Sequence, residues 1–353
     1  MRKFLGSMFE RLAAWLNKNS SQQEYFKEEN GLQPSVLGKV QAVVNESHPH
    51  ETFEKPGRSI QKKKTAVINY PKQPLRDVID LMEFPFVALS KDRTNPIIYE
   101  SSDKTKKVII SGHRGHFLAS IYDWDIILVV AGKIQEILNS GSDIPSHKVT
   151  IPRHELLKAL NKRQIGKKQQ KDLEKSLARL KLTGIETTIN NEDYKHKAGF
   201  GFIDSWGYTE RKNDREMRKI QITLSPWLYE LCCAQGALLK PSIEYFDIKS
   251  GIKRFLYRTA RKHAGEDGWK FSFETLYEKS GSEDNIRKFK SKIKAVVQKN
   301  DLPDYLMEWI DRNGKIFIDF KKRPKVEELN KIVEKNMESI GESIEFRETG
   351  TVP

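Results

Sequence analysis

The chain has 353 residues, of which 37% are hydrophobic and 31% are charged. This composition excludes a wholly disordered protein, and the length exceeds the roughly 250–300 residues that one hydrophobic core can organise, so two domains with tails are expected. The formal net charge of +14 indicates a polyanionic partner, and charge alone allows either nucleic acid or an anionic membrane.

The chain has two cysteines, Cys232 and Cys233, which are adjacent. Without partners at ligand spacing they predict neither a disulfide framework nor a structural zinc site, and they favour a reducing cytoplasm. No apolar run reaches the roughly 18–20 residues that a membrane span needs, and the N-terminus lacks the apolar core of a secretory signal. We therefore expect a cytoplasmic protein without a membrane partner.

The N-terminal segment, residues 1–18, is predicted to form an amphipathic helix whose apolar side includes Phe4, Leu12 and Trp15. Three kinds of surface fit that side: the protein's own core or a second copy, another protein, and a membrane. Its polar side has few cations, which favours docking onto protein. Residues 19–79 are polar and include a run of three lysines, so they are predicted to be a flexible linker.

The first predicted domain, residues 80–240, begins with short β-rich runs and continues with a long helix. The runs 84–89, 97–99 and 108–110 predict a small antiparallel sheet. Asp123 is placed to cap the long helix. The apolar stripe of this helix is wide enough to indicate burial on two sides, with a partner subunit as one candidate cover.

A basic helix follows in the same domain. The strand 149–151 and a short helix begun by Pro152 lead to this basic helix, which is predicted over residues 166–181. Strands 183–189 and 200–206 are expected to pair as the hairpin after it. Two further elements are expected: a third strand at 219–224 and a linking helix at 227–237.

The second predicted domain, residues 241–323, begins with a helix over residues 251–264. Arg254, Arg258 and Arg261 recur on it at helical spacing, opposite an apolar side, so one face is predicted to be core and the other cationic. This face is interpreted as a set of phosphate contacts that position a later helix.

Cap and turn residues define the rest of that domain. Ser272 is placed to cap a second helix, and Ser282, followed by two acidic residues, is placed to begin a third. Asn313-Gly314 supplies the two positive φ angles of a tight hairpin. Residues 324–353 are predicted to be a C-terminal helix and a loose tail.

The two domains repeat one order of elements: helix, strand, helix, basic helix, hairpin. Leu156 and Leu276 occupy equivalent places in it, about 120 residues apart. This order predicts an α+β fold of tandem winged helix-turn-helix domains with small antiparallel sheets.

Two basic helices at equivalent places favour DNA over the alternative that lysine stripes only keep the surface soluble. Lysine and arginine neutralise phosphate or contact guanine, glutamine pairs with adenine, and cations at the hairpin tips suit the backbone. Lys195 and Lys197 mark the predicted first tip. The candidate DNA-binding residues are Lys168, Gln169, Gln170, Lys171, Lys175, Arg179, Arg254, Arg258, Arg261, Lys262, Arg287, Lys288, Lys290, Ser291, Lys294, Arg312 and Lys315. Four of them, Arg287, Lys290, Ser291 and Lys294, are predicted to read bases.

Catalytic interpretations find little support. The sequence has no G-x-x-x-x-G-K-[ST] loop for ATP hydrolysis. His48 and His50, with Tyr70 downstream, resemble the residues of a metal-dependent nicking enzyme but lie in the predicted linker. His113 and His116 are flanked by glycines typical of a turn. The protein is therefore not expected to be an enzyme, and no catalytic residue, metal or cofactor is predicted. His263 is interpreted as a helix-end or packed residue.

Seven blocks of the sequence resemble the replication initiator protein A family of bacterial plasmids. They are FPFVALSK at 84–91, YDWDIILVVAGKI at 122–134, DLEKSLARLKLTGIETTI at 172–189, WLYE at 227–230, YFDIKSGIKRFLYRTARKHAG at 245–265, WKFSFETLYEKSGS at 269–282 and LPDYLM at 302–307. The resemblance implies tandem winged helices that bind direct repeats, or iterons, at a plasmid origin. It also implies recruitment of a host initiator protein and the host replicative helicase.

The resemblance further implies monomers that initiate replication and dimers that repress it. The first winged helix would then serve dimerisation as well as DNA contact, and the second would be the main reader. The function expected from the sequence is thus an origin-binding initiator of plasmid replication, with a winged-helix repressor or a nicking endonuclease as alternatives.

Overall fold

A computed structural model describes residues 75–141, 146–162, 166–189, 198–210, 217–234 and 236–324. The predicted N-terminal helix, most of the linker, the tip lysines Lys195 and Lys197, and the C-terminal helix lie outside these residues. The predicted linker extends to residue 79, but the chain is already buried at Leu75, Asp77 and Val78. That end of the linker prediction is wrong, because these residues pair and pack within the fold.

Residues 75–240, the first half of the described region, contain two larger antiparallel sheets. The elements in chain order are β1 (Asp77–Val78), α1 (Ile79–Glu83), β2 (Ile97–Glu100), β3 (Lys107–Gly112), α2 (Trp124–Asn139), β4 (Lys148–Pro152), α3 (Arg153–Ala159), α4 (Lys167–Leu182), β5 (Thr183–Thr187), β6 (Ala198–Gly201), β7 (Ile203–Glu210), β8 (Met217–Leu224), α5 (Pro226–Cys233) and β9 (Leu238–Leu239). One sheet has the order β2-β3-β5-β6 and the other β4-β8-β7, while β1 pairs with β9.

Residues 241–323, the second half, form one three-stranded sheet with helices. After a 3-10 helix (Ile243–Asp247) come α6 (Gly251–His263), β10 (Trp269–Ser272), α7 (Phe273–Ser280), α8 (Ile286–Lys299), β11 (Tyr305–Arg312) and β12 (Lys315–Lys322). The strand order is β10-β12-β11. A mixed fold with small antiparallel sheets is thereby confirmed.

Both halves contain the same succession: helix, strand, two helices and a hairpin. In each, the single strand pairs with the second strand of the hairpin, which gives β4-β8-β7 and β10-β12-β11. The hairpin that matches β11–β12 is therefore β7–β8. The expected hairpin of strands 183–189 and 200–206 does form, as β5–β6, but it extends the other sheet beside β3. One apolar run, 200–206, is divided at the buried Phe202 between two sheets, which alternation alone does not reveal.

The segment 84–89 was expected to be a strand and is an irregular buried segment instead. Pro85 has no N–H for a ladder, and the amide of Phe86 donates to the carbonyl of Phe84 at 2.8 Å. Ala88 forms an isolated bridge with Ser120. The apolar residues of this segment fill the core without forming a sheet.

Caps and turns define the second half. Ser272 accepts a hydrogen bond from the amide of Thr275 at 3.1 Å, as predicted. The third helix begins after Asn285, which caps the amide of Lys288 at 3.0 Å, and not at Ser282. Asn313 and Gly314 have φ angles of 53° and 83°, so the predicted hairpin turn is confirmed.

One hydrophobic core runs through both halves. It includes Trp124 and Phe202 in the first half and Phe273 and Phe289 in the second. Residues 124–132 of α2 are buried within the chain itself, which accounts for their broad apolar pattern. The described residues up to Arg323 belong to a single compact unit.

Candidate nucleic-acid interface

Helix α8 presents a basic side to solvent because its apolar residues recur at helical spacing. Phe289, Ile293, Val296 and Val297 are buried, and the helix contacts α6, α7 and β11. The side chains between these positions point outward. The stripe therefore fixes which residues of α8 are available to a partner.

The outward side of α8 has two flanks of different charge balance. On one flank, Lys288 and Lys292 reach Asp284 at 2.8 and 2.5 Å, and Lys299 reaches Asp301 at 3.0 Å. Burial opposes ionisation of Asp284, but the two ammonium groups lower the pKa of its carboxyl overall. The positive charge of this flank is therefore partly compensated, since two carboxylates face its three lysines.

The other flank, named the α8 basic face, is uncompensated. Its members are all exposed: Arg287, Lys290, Ser291, Lys294 and Gln298. No described carboxylate forms an ion pair with Arg287, Lys290 or Lys294. The structure thus brings together the four residues predicted to read bases. It also adds Gln298, which the sequence analysis missed although it lies four residues after Lys294 and therefore on the same face of the helix.

The tip of the β11–β12 hairpin carries two further cations. Arg312 and Lys315 are directly opposed across the strands and exposed. Asp311 accepts a hydrogen bond from the amide of Gly314 at 3.0 Å and so holds the turn. Within the described residues, neither Arg312 nor Lys315 has an ion-pair partner, so the tip offers two free cations.

Helix α4 is the counterpart of α8 in the first half. Leu173, Leu177 and Leu180 are buried, whereas the predicted candidates Lys168, Lys171 and Lys175 are exposed. These lysines form no ion pair with a carboxylate in the described part of the chain. They leave α4 with an exposed basic side, as the sequence indicated.

Three other candidates on α4 are occupied within the protein. Gln169 accepts a hydrogen bond from the amide of Gly166 at 3.2 Å, and Gln170 donates to Glu174 at 3.2 Å. Arg179 is half-buried and binds both carboxylate oxygens of Asp123, at 2.6 and 2.8 Å. Asp123 was predicted to cap α2; its carboxylate makes no cap bond and anchors α4 instead.

The arginines of α6 are not placed where they were predicted. Arg254 is buried and reaches Asp125 at 2.6 Å, and Arg258 is buried and reaches Asp77 at 2.7 Å. The interpretation of both as phosphate contacts is wrong, because neither guanidinium is accessible. Helical spacing shows that residues share a face, but acidic residues far away in the sequence decide whether that face is buried.

The remaining candidates on α6 also contact protein. Arg261 donates to the carbonyl of Lys240 at 3.0 Å, and Lys262 lies 2.5 Å from Glu83, which also pairs with Lys279. Burial opposes ionisation of Glu83, but the two lysines lower its pKa from 4.5 to about 2. The basic side of helix α6 therefore contacts the first half of the chain.

Residues 76–307 match the sequence model of a family described as Replication initiator protein A. The chain belongs to the replication initiator protein A family. A relative described as "Putative replication protein", from Wigglesworthia glossinidia brevipalpis, is 34% identical over 233 residues, which is 65% of this chain and 83% of the relative.

Two crystal structures of domains 2 and 3 of RctB are also similar to this family member. One, a selenomethionine derivative, has a TM-score of 0.48 at 11% identity and covers 69% of this chain and 96% of its own. The other has a TM-score of 0.46 at 12% identity, with coverages of 71% and 99%. Similarity at this level establishes no common function.

The histidines of this initiator-family chain form no described metal cluster. His113 and His116 lie in an exposed turn with ring centroids 5.8 Å apart, and Gly115 has a φ of 82°, as the turn prediction required. Burial lowers the pKa of His263, which packs against Phe271. His48, His50 and Tyr70 lie outside the described residues. In the part of the chain that the structure describes, no group of three or more histidine, cysteine or acidic residues could hold a metal, and no helix could span a membrane.

Proposed function

We propose that this replication initiator binds the direct repeats of a plasmid origin as double-stranded DNA and performs no catalytic step itself. The observation that carries the proposal is the α8 basic face, an uncompensated row of two lysines and an arginine with a hydroxyl and an amide beside them. Such a row can neutralise phosphates and hydrogen-bond base edges in a major groove.

The proposal treats each half as a winged helix. Helices α4 and α8 would enter successive major grooves of one repeat, and the hairpin tip at Arg312 and Lys315 would contact the backbone. Family membership supports an initiator that recruits a host helicase and a host initiator protein, and that exchanges between monomer and dimer. Those partners are proposals that follow from the family and not from the described surfaces.

The test compares two double variants of α8 that remove the same formal charge. Lys290→Ala with Lys294→Ala strips the α8 basic face, whereas Lys288→Ala with Lys292→Ala strips the flank compensated by Asp284. Each cation of the α8 basic face should contribute about 1–2 kcal/mol to the binding free energy. It should also contribute roughly one unit to the slope of the logarithm of the binding constant against the logarithm of the salt concentration. The first variant should therefore lose about 2–4 kcal/mol and two units of slope.

The control variant should bind the repeat within about fivefold of the wild type, because Lys288 and Lys292 lie on the flank beside Asp284 and outside the α8 basic face. Footprinting and gel shifts over a salt series measure both variants, and circular dichroism checks their folds. An equal loss in both variants would contradict the assignment of the face. Unchanged binding in both would remove α8 from the interface.

A plasmid test separates initiation from repression alone. A plasmid that carries the repeats but lacks its own initiator gene should be maintained only when this protein is supplied. Repression of a promoter without plasmid maintenance would leave DNA binding intact and refute initiation.

A further inference from the structure

The two halves meet at a pair of buried ion pairs centred on α6. Arg258 donates to both carboxylate oxygens of Asp77, at 2.7 and 3.0 Å, and also to the carbonyl of Leu81 at 3.0 Å. Arg254 donates to Asp125 at 2.6 Å. The acids belong to the first half and the arginines to the second, so each pair crosses the boundary between them.

Trp124 makes two further contacts with the Arg258–Asp77 pair, and both depend on geometry. The indole Nε1 of Trp124 donates to its carboxylate at 2.9 Å, and the guanidinium of Arg258 lies over the Trp124 ring, 5.4 Å from the centroid. Charge-assisted bonds of this geometry weaken steeply when their atoms shift by an ångström. A small sliding of one half against the other would therefore disrupt several bonds together.

Two glycines bring the backbones of the halves into direct contact. A Cβ at Gly251, the first residue of α6, would lie 2.0 Å from the carbonyl oxygen of Leu89. A Cβ at Gly281, whose φ is +57°, would lie 2.7 Å from the Cβ of Pro85, and the carbonyl of Gly281 accepts a hydrogen bond from Arg93. These contacts are too close for the junction to rotate freely.

Among the described residues, the hydrophobic core is continuous across the same junction. Close-packed interiors resist gradual deformation. We therefore expect the junction, and not the DNA, to set the separation and relative rotation of α4 and α8.

We propose that this junction makes the spacing between the two half-sites of a repeat a determinant of specificity. The inference rests on the proposed function, in which α4 and α8 read the two half-sites. A rigid reader accepts one spacing only. A reader with a flexible joint would also accept spacing increased by a full turn of DNA, about 10 base pairs, because the grooves then face the protein again.

The experiment uses the full chain and the repeat identified by footprinting. One, five or ten base pairs are inserted between the two protected segments, and binding is measured at fixed salt. All three insertions should weaken binding by about tenfold or more, since one half-site is lost in each. Equal binding to the native repeat and the ten-base-pair insertion would overturn the proposal while leaving DNA binding established. Failure to protect any repeat would instead contradict the proposed function.

A variant at the junction gives a second measurement. Gly251→Ala must displace α6 from Leu89. It is expected to weaken binding to the native repeat by about tenfold, while binding to DNA that contains only the α8 half-site changes less than about twofold. A folded Gly251→Ala protein with unchanged affinity for the native repeat would contradict a rigid junction. If the variant does not fold, the insertion series on the wild type still decides.

Discussion

Replacing Arg258 by methionine tests the buried junction most directly. Asp77 is 1% exposed and receives two hydrogen bonds from Arg258, at 2.7 and 3.0 Å, and one from Trp124 at 2.9 Å. The Arg258→Met variant leaves the carboxylate buried, with the indole N–H of Trp124 as its remaining side-chain donor among the described residues. The carbonyl of Leu81 also loses its guanidinium partner.

An unpaired buried charge of this kind costs about 3–5 kcal/mol of folding free energy. Folded domains have about 5–15 kcal/mol in total, so the variant should lose a large share of its stability. For a unit of about 250 residues, this loss lowers the midpoint of thermal unfolding by roughly 6–20 °C.

The assay is urea unfolding followed by tryptophan fluorescence and circular dichroism. Arg258→Met should shift the midpoint to lower urea without a change in slope. The matched control combines Arg258→Met with Asp77→Leu, which removes both charges and keeps the volume apolar. Because an apolar replacement of a buried pair is often neutral or stabilising, the double variant should recover most of the loss. A single variant that loses less than about 1 kcal/mol, with no recovery in the double variant, would refute the buried pair.

Two residues at the same boundary, Glu83 and Gly281, offer further tests, and Gly314 at the hairpin turn serves as a control. Glu83 has a pKa lowered from 4.5 to about 2 by its lysine partners, so its contribution is present above pH 4.5 and is lost as pH falls towards 2. The free energy of unfolding of the wild type should exceed that of Glu83→Gln by about 1–2 kcal/mol near neutral pH. The difference should shrink below pH 4.5 in unfolding experiments. A difference that stays constant with pH would contradict the assigned ion pairs. Gly281→Ala should cost about 2–4 kcal/mol, because it combines a positive φ with a clash at Pro85. Gly314→Ala, with a φ of +83° and open space around it, should cost about 1–2 kcal/mol, and equal costs would argue against the clash.

The local features of the second half could be predicted from the sequence because they depend on neighbours in the chain. Helix α6 was expected at residues 251–264 and occupies Gly251–His263, and the Asn313-Gly314 turn formed as predicted. The start of α8 was misplaced because Ser282 and Asn285 are both good cap residues. Ser282 accepts from the amide of Asp284 in a turn, and Asn285 caps the helix.

The burial of the α6 arginines could not be predicted because it depends on acidic residues distant in the sequence. Asp77 lies 181 residues before Arg258, and Asp125 lies 129 residues before Arg254. Arg254 and Arg258 had the same local signature as the lysines of α8, namely cations at helical spacing opposite an apolar stripe. Only tertiary packing distinguishes a cationic face that binds acids inside the protein from one that remains exposed.

The ion pairs of α6 also bear on whether either half can exist alone. Cutting the chain after residue 240 would leave Asp77 and Asp125 in one fragment and both arginines in the other. Each fragment would then expose charges and apolar surface that the intact chain encloses, so neither should fold autonomously. The repeated order of elements suggests two modules joined end to end, but the buried ion pairs link them, and we expect that the half containing α8 does not fold when it is excised.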